Sequence, residues 1–170
     1  MGLDNMPHKY PCETQGTAVM EQVELYEYDL EGGRRPSGET TERISCEETV
    51  AVDGCPFTNA TPPPGQVVGM LGTYCWYRGK YGNWLIKALN DEEVDSFDGD
   101  DLNNFYGTDE EGLYRPPKEC KELADQMESD LAERGGTLEF EGNDATDEVK
   151  FAIWYLRWTA AECEGMDAWF

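Results

Sequence analysis

Residues 146–165, TDEVKFAIWYLRWTAAECEG, decide the reading of the fold. Val149, Ala152, Ile153, Leu156, Ala160 and Cys163 recur at helical spacing and form one apolar stripe, while Phe151, Trp154 and Trp158 form a second on another face. Asp144 or Thr146 supplies the N-cap and Gly165 the stop near Glu164. A helix apolar on two sides either runs through the centre of a fold or carries a subunit contact. The aromatic stripe is therefore also a candidate surface for a homo-oligomer.

Working outward, Pro116-Pro117 opens a second helix that runs to about Arg134, with Cys120, Leu123, Met127 and Leu131 on one face and Gly135-Gly136 ending it. A short strand is expected over Thr137 to Glu141. Asp91 to Leu113 reads as a solvated acidic loop. Its carboxylates miss the EF-hand pattern: counting from Asp98, the fifth position is Leu102, the required glycine is Asn103, and the closing residue is Asp109. Thr73 can cap a third helix through Leu89, with Cys75, Gly79, Gly82 and Ile86 on one face, where small residues let another backbone approach. Interior glycines cost about 1 kcal/mol each relative to alanine, and a turn at Arg78-Gly79-Lys80 is the competitor.

The first half is different. Residues 17–30 are rich in β-branched and aromatic types with partial alternation and predict a strand; Gly32-Gly33 follows as a turn, and Thr40 to Val52 reads as a second strand or strand pair. Thr61-Pro62-Pro63-Pro64-Gly65 is a stiff connector, and Gln66 to Leu71 a short apolar run of strand length. The expectation is an α+β fold in a single domain over 1–170, mainly strand and loop over 1–72 and mainly helical over 73–170, with about three helices.

Asp and Glu number 36 against 13 Lys and Arg in 170 residues, a net charge of −23. Hydrophobic residues at 39% and aromatics at 12% still place the chain among globular proteins. Repulsion among so many carboxylates destabilises a compact state at low ionic strength, and salt screens it, the Debye length falling to about 3 Å at 1 M. The charge thus points to a salt-rich cytoplasm. It argues against direct contact with nucleic acid, and it leaves open mimicry of nucleic acid toward a basic protein. No apolar run approaches the roughly 20 residues that span a bilayer, and Met1-Gly2-Leu3-Asp4-Asn5 lacks the basic and apolar regions of a secretory signal, so a cytoplasmic, non-membrane protein is expected.

Against that acidic background, no Asp or Glu occurs between Gly54 and Asn90. Arg78 and Lys80, with backbone amides near Gly79 and stacking faces from Trp76 and Tyr77, form a candidate site for an anionic small molecule or phosphate. The alternative is that the cations pair with nearby carboxylates while the aromatics fill the core. Cys75, in the same run, is the candidate nucleophile of a cysteine-dependent hydrolase or transferase, but it needs a base and His8 is the only histidine. No Gly-x-Ser-x-Gly elbow, Walker loop, dinucleotide fingerprint or His-Glu-x-x-His occurs.

Six cysteines without an export signal read as thiols or metal ligands ahead of disulfides. Cys120 and Cys163 lie on apolar helical stripes and are assigned to packing. His8, Cys12, Cys46 and Cys55 stand beside turn residues and compose a Cys₃His set, the closed tetrahedral environment of structural Zn²⁺. Free thiols, or a Cys46–Cys55 disulfide, are the other possibilities. A metal there would make a knuckle-like N-terminal region and pin an otherwise unstructured terminus to the strand layer.

The opening residues 1–12, the Gly54-Cys55-Pro56 turn and the block from Gly69 to Asn83 resemble a family of uncharacterised proteins of halophilic archaea. The resemblance implies a high-salt setting and no particular activity.

Overall fold

The structure is a computed structural model that describes residues 4–18, 20–28, 32–44, 77, 79–91, 105–107, 113–140 and 142–169. It is mixed α+β, and its central sheet is built from the two ends of the chain. Strand β1 (Asp4–Pro7) and strand β4 (Tyr114–Arg115) both pair antiparallel with β7 (Met166–Trp169), giving the order β1-β7-β4. Register sets Asn5 opposite Ala168, Pro7 opposite Met166, and Arg115 opposite Met166. Strand alternation then turns Asn5, Pro7, Arg115, Met166 and Ala168 inward, all buried, and leaves Met6, Tyr114 and Asp167 half-buried on the other face. Tyr77 extends the sheet at the free edge of β1 by exchanging both backbone hydrogen bonds with Asn5, at 2.6 and 2.7 Å. The N-terminus is thus an integral strand, where the sequence led us to expect a terminus without structure of its own. Its backbone pairs with β7 on one edge and, at Asn5, with Tyr77 on the other.

A four-residue helix, α1 (Pro11–Thr14), follows β1, and the Tyr10 N–H donates to Glu13 Oε2 at 2.7 Å to hold its first turn. The expected strand pair is present as an antiparallel ribbon of β2 (Met20–Tyr28) and β3 (Arg34–Ile44). The second strand begins six residues earlier than Thr40, and its predicted continuation over 45–52 lies outside the described residues. The register breaks between Glu24 and Tyr26, where Gly38 at φ 81° and the Ser37 hydroxyl, donating to the Leu25 carbonyl at 2.9 Å, accommodate extra β3 residues. The Gln66–Leu71 run and the acidic cluster from Asp95 to Asp101 also fall outside the described residues, as does Asp109.

Helix α2 spans Gly79–Leu89, so the helix drawn from Thr73 is shorter: Tyr77 is extended, and a residue bridged to β1 cannot also sit in a helical turn. The glycines do permit close approach, to side chains of other segments. A methyl at Gly79 would collide with the Asn5 side-chain oxygen and the Tyr106 ring, and one at Gly82 with the Phe105 ring. Buried Asn83 fixes that ring's position by accepting the Phe105 N–H at 2.7 Å.

Helix α3 (Pro117–Glu133) and helix α4 (Thr146–Glu162) pack antiparallel along their length. Proline at N1 starts α3, and Gly135 and Gly136, at φ 78° and 81°, end it by donating to the carbonyls of Ala132 and Leu131. Its buried stripe is Cys120, Ala124, Met127 and Leu131, with Leu123 half-buried. Between the helices a small hairpin pairs β5 (Glu139–Phe140) with β6 (Asn143–Asp144), and Asp144 Oδ1 accepts the Thr146 N–H at 3.0 Å as α4 begins. Gly165 ends α4 at φ 100°; a Cβ there would strike the Arg115 carbonyl.

Both stripes of α4 are used inside the chain. Phe151 and Trp158 are buried and Trp154 half-buried, so the face considered for self-association is largely occupied by intramolecular packing. Tyr77 stacks between Phe105 and Tyr155 at centroid distances of 5.0 and 5.1 Å, with Phe151 beyond at 6.4 Å. Each such ring contributes roughly 1.5–3 kcal/mol of burial free energy. Among the described residues no helix is long and apolar enough to cross a membrane.

Candidate functional site

The antiparallel packing of α3 on α4 brings the first turns of one helix beside the last turns of the other. Along that seam lies an open cavity of about 420 Å³ lined by Pro117, Lys118, Lys121, Arg157, Ala160 and Ala161. Lys118 and Lys121 are three apart and share one side of α3. Arg157, a lone cation in the apolar run of α4, reaches across to α3: Nη2 donates to Asp125 Oδ1 at 3.0 Å and to Glu128 Oε2 at 2.7 Å, and Nη1 to Glu128 Oε1 at 3.2 Å. Those hydrogen bonds, and then the charge of Arg157, hold the Glu128 carboxyl below its ordinary range and raise the guanidinium further.

The two lysines are less committed. Lys118 meets Glu122 at 3.6 Å across one helical turn with both side chains largely exposed, a pairing of little energy. Lys121 makes no ion pair or hydrogen bond among the described residues. A groove with apolar walls and, at its rim, one ammonium group unpaired among the described residues and one weakly paired is chemically suited to holding an anion.

A second arrangement sits on the open face of the sheet. His8 Nδ1 lies 2.9 and 3.1 Å from the two carboxylate oxygens of Asp167, and its ring tilts against Tyr114 at a centroid distance of 4.7 Å. Beside it Lys9 Nζ donates to Glu164 Oε2 at 2.8 Å, and the Tyr114 hydroxyl donates to the Glu164 carbonyl at 2.9 Å. Asp167 fixes the orientation of the imidazole and leaves Nε2 as the nitrogen for other chemistry.

Of the residues singled out in the sequence, Tyr77 is fully buried, and desolvation by that burial raises its phenol's pKa. Enclosed by its ring neighbours, it presents no stacking face to a ligand. Trp76, Arg78, Cys75, Cys46 and Cys55 lie outside the described residues, as does the side chain of Lys80. Cys12 is buried at 1% exposure while His8 is half-exposed at the sheet surface, so the two described members of the expected zinc set occupy different settings. Among the described residues no three His, Cys, Asp or Glu side chains gather as a metal requires. Cys120 and Cys163 are buried, as packing predicts, and burial pushes the Cys120 thiol up to about 11.

The α3–α4 groove was missed at the level of sequence. Its one local signal is that Lys118 and Lys121 fall on a common face one turn from Pro117, but their meeting with Arg157 depends on helix pairing. The His8–Asp167 pair, 159 residues apart, has no local signal at all.

No protein-family model, curated protein or solved structure matches this chain.

Proposed function

We propose that this chain is a binding module adapted to a salt-rich cytoplasm and that it takes a small anion in the groove between α3 and α4. The observation that carries this is the position of Lys121. In a chain with 36 carboxylates against 13 cations, it stands at a cavity rim with no carboxylate partner among the described residues, beside the weakly paired Lys118. The anionic ligand expected from the sequence is retained, and the helix seam is proposed for it; of the side chains named in the Trp76–Lys80 run, the buried Tyr77 is the one among the described residues. Calorimetric titration with inorganic phosphate and with simple carboxylates tests it. A charge-assisted hydrogen bond contributes about 1.5–3 kcal/mol, so Lys121→Ala should weaken binding roughly 10- to 100-fold. Equal affinity of the variant and the parent removes the groove as the site.

A structural zinc is the second proposal, favoured by one observation. A carboxylate on Nδ1 is the usual support of a metal-ligating histidine, and His8 has it in Asp167. Elemental analysis of protein purified without added metal should find zinc in the parent and less in His8→Gln. Metal-free parent protein would end this proposal.

A further inference from the structure

The groove's walls say more about the ligand than its charge. Resting on the anion reading above, we infer that the ligand is an amphipathic monoanion: one acidic head group joined to an apolar body, such as a medium-chain carboxylate. The cavity, about 420 Å³, is in the range that holds a small organic molecule and is far larger than an inorganic ion needs. Pro117, Ala160 and Ala161 line it with no polar side-chain atom, and the lysine and arginine stems add further methylenes. Among the described lining residues, the polar side-chain groups are the cationic ends of Lys118, Lys121 and Arg157.

Those ends are not equivalent. The guanidinium of Arg157 is already taken up by Asp125 and Glu128, whereas Lys118 and Lys121, adjacent on one side of α3, are the groups left to receive a head group. Asp125 and Glu128, which hold Arg157 on the same seam, would repel a second negative charge placed beside that guanidinium. Hence one charged end suffices, and the remainder lies along the two alanines of α4.

High salt sharpens the same requirement. With a Debye length of about 3 Å at 1 M, exposed lysines distinguish poorly between a ligand's head group and the surrounding anions. Apolar burial does not suffer that screening, and salts excluded from protein surfaces strengthen it. A site working in such a medium gains selectivity from the apolar portion of its ligand.

The experiment is calorimetric titration of the full chain with octanoate, acetate and inorganic phosphate at low and at molar potassium chloride, repeated with Lys121→Gln and Ala161→Glu. Ala161 is exposed, so the second variant changes the groove wall without touching the core. The expected result is octanoate binding at least tenfold tighter than acetate, a preference that widens with salt, and loss of at least tenfold in affinity in both variants. If acetate and phosphate bind as tightly as octanoate and depend on Lys121, the anion site stands and the amphipathic ligand is wrong. Octanoate binding that is indifferent to both variants lies elsewhere and overturns the inference; binding of none of the three probes overturns both readings.

Discussion

At the scale of single residues, the most telling side chain is Tyr77. Its position in an aromatic, glycine-rich run with cations nearby made it legible as a ligand-stacking residue or as core, and only the bridge to Asn5 decides for core. Among the described residues its buried hydroxyl has no hydrogen-bond partner, a situation that costs about 1–3 kcal/mol. Tyr77→Phe should therefore leave stability unchanged or raise it by roughly that amount, read as the midpoint of thermal unfolding; a clear loss would mean that the hydroxyl is engaged. Gly82 presents the opposite case. Alanine there gains about 1 kcal/mol of helix propensity but drives a methyl into the Phe105 ring, an overpacking cost of about 1–3 kcal/mol. We expect Gly82→Ala to be net destabilising in chemical denaturation, and a more stable variant would show that the ring moves aside at little cost.

Among the elements, the contrast is between the α3–α4 pair and the β2–β3 ribbon. The helices carry apolar stripes that interlock, which is why their positions were readable from spacing alone. Every described side chain of the ribbon is exposed or half-exposed, and an isolated two-stranded hairpin is of marginal stability. Amide exchange should accordingly be faster in β2 and β3 than in the middle of α3 and α4; equal protection would point to a partner for the ribbon. The Arg157 clasp between α3 and α4 adds a pH term. Since the carboxyl of Glu128 is depressed in the folded state, its contribution is present above the unfolded value near pH ~4.3 and is lost as pH falls through the folded one. Solvent screening keeps that contribution below about 1 kcal/mol. Glu128→Gln should thus differ from the parent slightly at neutral pH and not at all in strong acid, measured by denaturant midpoints.

For the whole molecule, the net charge of −23 makes ionic strength the dominant variable. The unfolding temperature should climb steadily from low to molar salt, because screening removes repulsion that the compact state concentrates. A flat response would defeat the salt-adapted reading. The same chain shows where local information ends. Composition and residue spacing by themselves determined the acidic, globular character, the two long helices with their stops at Gly135 and Gly165, the ribbon's approximate place, and the burial of Cys120 and Cys163. These follow from stripes, caps and turns contained within about twenty residues. Tertiary structure alone decided the sheet, since β1 is four residues, Asp4–Pro7, with no alternating pattern, and acquires its backbone partners from β7 at the opposite end of the chain. It likewise decided that Tyr77 is interior and that Lys118, Lys121 and Arg157 share a groove. Long-range pairing and the meeting of two helix surfaces are properties of the assembled core, and no window of sequence contains them.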